Sequence, residues 1–160
     1  MRPHTGRIVI AGIGHPYRQD DGAGVAVAAS VGTALPGIFD IGPIAEPLDL
    51  LGKWDFADLA VVIDATRSGS APGTILISDL DDDGAVQLVQ SAQHTSTHGL
   101  GIPDVLRLAR VLHAAPCRVV LVGIEGRNFG DGATMSGPVN DSIPIATTRV
   151  IELLGQTADV

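Results

Sequence analysis

Two carboxylates and one imidazole in this sequence have the residue types and positions expected of ligands for a divalent metal ion. Asp21 lies at the start of a predicted helix, Asp64 ends an apolar run, and His98 lies in a polar segment that contains glycine. This set suits a first-row divalent metal, with Ni²⁺ and Zn²⁺ both chemically reasonable, and it leaves coordination positions open. Each residue alone has a simpler interpretation, as a helix-start, turn or solvated side chain. The metal hypothesis therefore depends on the three lying together.

The adjacent acids Asp20 and Asp21 are predicted to have different roles. Asp20 is placed as the N-cap of the first helix, where its side chain would accept a hydrogen bond from an early helical N–H. Asp21 would then lie in the first turn, where the helix dipole favours its ionised form. Because neighbouring helical positions point in different directions, only Asp21 is expected to be a metal ligand.

The glycines before these acids do not form a dinucleotide-binding loop. Gly12 and Gly14 match the first two glycines of that fingerprint, but Tyr17 occupies the third position, where a small residue is needed. In addition, Asp20 and Asp21 would repel a pyrophosphate at the helix N-terminus. The loop nevertheless follows the first predicted strand, which is where ligands collect in open α/β sheets.

The motifs of common proteases are missing from the sequence. It has neither a His-Glu-x-x-His zinc helix nor a Gly-x-Ser-x-Gly nucleophile elbow. Cys117, the single cysteine, begins an apolar strand and is predicted to be a small buried hydrophobic residue. Covalent catalysis is therefore disfavoured.

The composition predicts one globular domain spanning residues 1–160. Hydrophobic residues make up 45% of the chain but aromatic residues only 3%, which favours a core of aliphatic side chains in an α/β fold. A net charge of −8 argues against binding to nucleic acid or to an anionic membrane. With one cysteine, an intrachain disulfide is impossible, and no apolar run is long enough to span a bilayer. A cytoplasmic protein, either monomeric or weakly homo-oligomeric, is expected.

Predicted strands and helices alternate along the chain. The strands are residues 7–13, 38–41, 59–64, 74–77 and 118–124, and the helices are residues 21–35, 47–54, 100–113 and 140–154. This alternation predicts three layers, a mostly parallel but mixed sheet of about five strands with helices on both faces. The strand at 74–77 follows 59–64 too closely for a helical crossover and is predicted to be antiparallel to it.

In six stretches the sequence resembles the maturation endopeptidases of [NiFe]-hydrogenases. The order of the six stretches is specific, whereas each alone is not. They are Ile10-Ala11-Gly12-Ile13-Gly14, Asp20-Asp21-Gly22-Ala23-Gly24, Val62-Ile63-Asp64-Ala65, Ala71-Pro72-Gly73-Thr74, Thr97-His98-Gly99-Leu100-Gly101 and Val120-Leu121-Val122-Gly123-Ile124-Glu125.

The resemblance implies a protease that removes a C-terminal extension from the precursor of the hydrogenase large subunit after nickel insertion. It also implies that nickel is recognised through Asp21, Asp64 and His98, which occupy the family's motif positions. In such a mechanism the nickel arrives with the precursor, so the resting enzyme is expected to hold no metal. The large-subunit precursor is then the expected partner.

The sequence departs from the family pattern at two places, so it does not identify the particular hydrogenase. His15 stands where asparagine is usual, and residues 40–47 lack a glycine-rich turn. His15 and Glu46 are further candidate groups near the same site. Two other functions stay open from the sequence, a noncatalytic metal-dependent assembly protein and an α/β hydrolase of small molecules.

Overall fold

The computed structural model describes residues 6–80 and 101–158 of the chain. The strands are β1 (Ile8–Ile13), β2 (Phe39–Ile44), β3 (Leu59–Thr66), β4 (Ile75–Asp79) and β5 (Arg118–Glu125). The helices are α1 (Ala23–Ala34), α2 (Ile102–Val111) and α3 (Gly137–Ala158). Two 3-10 turns, Gln19–Gly22 and Pro47–Leu50, follow β1 and β2.

The five strands form one sheet in the order β2-β1-β3-β5-β4. Neighbouring strands are parallel except β4, which runs antiparallel to β5. The predicted mixed α/β sheet of five strands is therefore confirmed. The expected direction of β4 is also correct, but its hydrogen-bonded neighbour is β5 and not the preceding strand, β3.

Alternate residues of each central strand face opposite layers, because strand side chains alternate with a period of two. One face packs against α2 and the turn after β2, and the other packs against α1 and α3. In β3, for example, Val62 belongs to the first core, whereas Val61 and Ile63 belong to the second. Both faces of the sheet are covered, as an apolar, β-branched strand such as β3 requires.

Three local predictions differ from the structure. Only Pro47–Leu50 of the predicted helix 47–54 is helical, because Leu51 is extended at ψ 133° and Gly52 has a positive φ of 85°. The last helix, Gly137–Ala158, is longer than predicted and contains Pro144. Cys117 is exposed and not buried. It immediately precedes β5, so it lies at the sheet edge opposite the carboxyl ends of the parallel strands.

Candidate active site

Asp21 and Asp64 both lie at the carboxyl-terminal edge of the parallel strands. Asp21 is in the 3-10 turn between β1 and α1, and Asp64 is two residues before the end of β3. Because β1 and β3 are parallel neighbours, their carboxyl ends meet at the same edge. The structure therefore brings together two of the three predicted ligands.

Two glycines allow the start of α1 to approach the sheet closely. A Cβ on Gly24 would overlap the carbonyl oxygen of Ile63, the residue before Asp64. A Cβ on Gly12 would be 2.6 Å from the carbonyl oxygen of Gly24. An alanine side chain fits at neither position, so these glycines let the segment carrying Asp21 pack against the end of β3. Their role is to position the site.

The carboxylate of Asp21 is oriented by the loop that precedes it. Its Oδ2 accepts a hydrogen bond from the backbone N–H of His15 at 2.9 Å. Gly14 has a φ of 128°, and a Cβ at this position would overlap the Asp21 carbonyl oxygen and lie 3.3 Å from Cγ of Asp21. Only glycine fits this turn, because it tolerates the positive φ and leaves the space that Asp21 occupies.

Asp64 is partly buried and close enough to Asp21 for their charges to interact. Burial raises the pKa of Asp64 to about 8, the charge of Asp21 acts in the same direction, and a hydrogen bond with the Ala65 backbone opposes both. A carboxylate without a cation is disfavoured here because desolvation and a like charge both penalise its ionised form. A bound cation would instead favour the ionised form of Asp64 and so lower its pKa.

The remaining candidates do not complete a three-ligand set within the described residues. His98 lies outside residues 6–80 and 101–158, so its role stays a prediction. In the described part of the chain no three side chains of His, Cys, Asp or Glu are grouped to hold a metal. His15 orients Asp21 through its backbone, and Glu46 is exposed before the turn that follows β2.

Asp20 is not a helix cap, contrary to the prediction. Its side chain is fully buried, and Arg18 precedes the 3-10 turn without a side-chain capping bond. The Asp20 carboxylate accepts hydrogen bonds from three backbone N–H groups and one hydroxyl, all beyond β5. The donors are the N–H groups of Arg127, Asn128 and Ser136 and the hydroxyl of Ser136.

These bonds also determine the ionisation of Asp20. Burial alone would raise its pKa, but the donors from the segment after β5 hold the pKa below the ordinary value of 3.8. Asp20 is thus a charged tether between the loop after β1 and the segment after β5. Sequence reasoning missed this role because the donors are more than a hundred residues away in the chain.

The family model for hydrogenase maturation proteases matches residues 37–153 of the chain. The chain belongs to the hydrogenase maturation protease family. The hydrogenase expression/formation protein HupD of Rhodobacter capsulatus is 30% identical over 92% of this chain and 71% of its own length. The hydrogenase 2 maturation protease of Escherichia coli K12 is 28% identical over 94% of this chain and 92% of its own.

Solved structures agree with this assignment. The hydrogenase maturating endopeptidase HybD from E. coli has a TM-score of 0.80 at 26% identity, covering 94% of this chain and 93% of its own. The maturation protease HycI from Thermococcus kodakarensis has a TM-score of 0.68 at 27% identity, covering 93% of this chain and 92% of its own. The protease is therefore an endopeptidase that processes the C-terminus of a hydrogenase large-subunit precursor. This decides against the assembly-protein and small-molecule alternatives.

Glu125 is a second buried carboxylate of the protease that sequence reasoning did not assign to a role. It ends β5 beside the end of β3, and its side chain is only 4% exposed. Its oxygens accept hydrogen bonds from the Thr66 and Ser68 hydroxyls and from the N–H groups of Ser68 and Gly69. Glu125 thus fixes the loop that follows Asp64. The sequence does contain a signal for Glu125, because it is an acidic residue that ends an apolar run, as Asp64 is.

In the part of the protease that the structure describes, none of the helices has the length and apolar character to cross a membrane.

Proposed function

We propose that this endopeptidase recognises nickel carried by the precursor through Asp21, Asp64 and His98, and that cleavage of the C-terminal extension follows nickel insertion. The observation that carries the proposal is the placement of Asp21 and Asp64 beside each other at one edge of the sheet. Two carboxylates repel each other in a partly buried position, and a divalent cation between them would relieve that repulsion.

The position of α2 supports His98 as the third ligand. By strand alternation Asp64 points to the same face as Val62, and Val62 shares a core with Ile102, the first residue of α2. His98 precedes Ile102 by four residues in the sequence. An imidazole and two carboxylates form a ligand set that suits Ni²⁺ and leaves positions for ligands from the precursor.

Docking of the metal-loaded precursor would place its scissile peptide against the same edge. Asp21 would be held in position by the His15 N–H and by the space that Gly14 leaves, so its carboxylate loses little freedom when it binds. The bound metal would supply Lewis-acid chemistry, either to the peptide carbonyl or to a water molecule. A precursor without nickel would lack these ligand contacts, which would make metal insertion a condition for cleavage.

The test compares nickel-loaded and nickel-free precursor in a cleavage assay followed by mass spectrometry of the large subunit. Only the loaded precursor should lose its extension, and Asp21→Asn or Asp64→Asn should nearly abolish the reaction. Asp141→Asn, an exposed substitution on α3, is the matched control and should cleave normally. Equal processing of both precursors would refute nickel recognition without affecting the family assignment.

We further propose a cytoplasmic enzyme that is monomeric or weakly homo-oligomeric and holds no nickel before the precursor arrives. The exposed thiol of Cys117 supports the location, because exposed cysteines stay reduced in the cytoplasm. Light scattering at several concentrations and metal analysis of the purified enzyme test the other two points. A tight oligomer or stoichiometric resident nickel would contradict them.

A further inference from the structure

Three exposed arginines lie on the loops that flank the two carboxylates. Arg18 precedes Asp21 by three residues, and Arg67 follows Asp64 by three residues. Arg127 lies two residues beyond Glu125, whose Cα is paired in register with that of Thr66. Because paired strands are about 5 Å apart, the loops carrying Arg67 and Arg127 leave the sheet side by side. We call Arg18, Arg67 and Arg127 the basic rim.

Phe129 connects two arginines of the basic rim. The guanidinium carbon of Arg67 lies 4.2 Å from the centre of the Phe129 ring, a cation–π contact. Nη2 of Arg18 donates a hydrogen bond, long at 3.5 Å, to the Phe129 carbonyl oxygen. The ring itself packs over Gly126, where a Cβ would be 2.5 Å from the ring carbon Cζ. Both guanidinium groups are therefore held around one residue.

The backbone under the basic rim is fixed by pairing between the loop after β1 and the segment after β5. Gln19 N–H donates to the Gly132 carbonyl at 2.8 Å, and Gly132 N–H donates to the Tyr17 carbonyl at 2.9 Å. Asp20 N–H donates to the Asn128 carbonyl at 2.9 Å, and the Asp20 carboxylate accepts the four bonds described above. A partner that binds here would meet a pre-organised surface and would lose less free energy to ordering it.

The basic rim concentrates exposed positive charge on a chain whose net charge is −8. In the loops after β1, β3 and β5 the exposed charged side chains are the three arginines and Asp131, and Asp21 is partly exposed. The two buried carboxylates beneath it, Asp20 and Glu125, accept hydrogen bonds from backbone N–H groups and hydroxyls. Arginine side chains bind carboxylates well because their planar donors match both oxygens.

We propose that the basic rim binds acidic side chains of the precursor's C-terminal extension and so holds the extension next to the scissile bond. The chemistry fits an acidic peptide because the rim combines guanidinium groups with an aromatic ring on a fixed backbone. This inference rests on the endopeptidase activity of the family and does not depend on nickel recognition. Arg18 and Arg127 would determine affinity, not the chemical step.

The test measures precursor cleavage at several salt concentrations for Arg18→Gln, Arg127→Gln and the double variant. KM should rise by roughly 2- to 5-fold for each single variant at low salt, while kcat should change much less. The rise should shrink as salt is added, because salt screens exposed charges. Arg149→Gln removes an exposed arginine from α3 and is the matched control, with an expected KM equal to that of the unmodified protein.

A second precursor identifies the group that is bound. When the acidic residues of its extension are replaced by Asn and Gln, the unmodified enzyme should show the raised KM, and the double variant should show no further increase. The proposal would be overturned if the double variant had the KM of the unmodified enzyme for the original precursor. It would also be overturned if KM rose when the terminal carboxylate or neutral residues of the extension were changed, and not when its acidic side chains were changed. The preference for nickel-loaded precursor should be the same in all these variants, which separates this test from that of nickel recognition.

Discussion

Replacing Asp20 with asparagine distinguishes a charged tether from a helix cap. In the structure Oδ1 accepts the Ser136 N–H at 2.7 Å, and Oδ2 accepts the Ser136 hydroxyl and the N–H groups of Arg127 and Asn128 at 2.7 to 2.8 Å. An asparagine keeps one oxygen but turns its NH₂ group toward an N–H donor. Whichever way the amide is oriented, at least one of the three N–H donors loses its acceptor.

The expected loss of stability follows from the two buried bonds to Ser136. A hydrogen bond to a charged group contributes about 1.5–3 kcal/mol, whereas loss of a helix cap costs about 1 kcal/mol. The donors at Arg127 and Asn128 are closer to solvent and can be rehydrated. The amide oxygen of an asparagine can accept only one of the two bonds to Ser136, so we expect Asp20→Asn to lower the free energy of unfolding by about 2 kcal/mol.

Urea unfolding gives the change in free energy, and amide hydrogen exchange shows where it arises. Faster exchange at Arg127, Asn128 and Ser136, with little change in the centre of β3, is expected from a released tether. Asp141→Asn, which changes an exposed carboxylate on α3, should shift stability by less than about 0.5 kcal/mol. A loss of 1 kcal/mol or less for Asp20→Asn, with unchanged exchange at these three amides, would refute the tether.

Two further substitutions test the geometry and the electrostatics of the site. In metal-free protein Asp64 favours its protonated form, so its contribution to stability is largest near pH 4 and is lost as the pH rises to about 8. Asp64→Asn should remove this pH dependence. At pH 8 it should raise the free energy of unfolding by about 2 kcal/mol, which is less than the roughly 6 kcal/mol that the full pKa shift would give without solvent screening. Equal pH profiles of the unfolding free energy for the variant and the unmodified protein would contradict this expectation. Gly24→Ala should lower the free energy of unfolding by about 2–3 kcal/mol, because its Cβ would overlap the Ile63 carbonyl oxygen. It should also lower kcat/KM, because Gly24 positions the segment that carries Asp21. Gly32→Ala on the same helix is the control, because its Cβ would lie 3.5 Å from the nearest atom, and it should stabilise the protein by about 0.5–1 kcal/mol. If the two alanine variants changed the thermal unfolding temperature by a similar amount, close packing at Gly24 would be contradicted.

Features of the fold that depend on neighbouring residues were predictable from the sequence. Short aliphatic runs located all five strands to within a few residues. The runs are clearest in β1, β3 and β5, because a strand buried on both faces must be apolar throughout. Asp64 was found in the same way, as a carboxylate that interrupts such a run. The pairing of β4 with β5 was not visible, because β5 lies between β3 and β4 in the sheet although it follows both of them in the sequence.

Features that depend on distant segments could not be predicted. Asp20 has the position of a cap in the sequence, and only the folded chain reveals that its acceptor capacity is used by Arg127, Asn128 and Ser136. The helix predicted over residues 47–54 failed for a local reason, since the apolar spacing was helical but Gly52 takes a positive φ. His98 stays a prediction, supported by its place in the sequence before α2.

The long-range bonds of Asp20 have a consequence for the order of folding. They join groups that are 107 to 116 residues apart, so they form only after β5 and the start of α3 have been synthesised and placed. Contacts of such high sequence separation form late, because the chain must first lose the entropy of closing a long loop. A nascent or truncated chain that already has β1 and β3 would contain Asp21 and Asp64 but not the fixed loops around them. The loops around Asp21 and Asp64 are therefore fixed only when the fold is complete, and we expect a truncated protease that lacks β5 to be inactive.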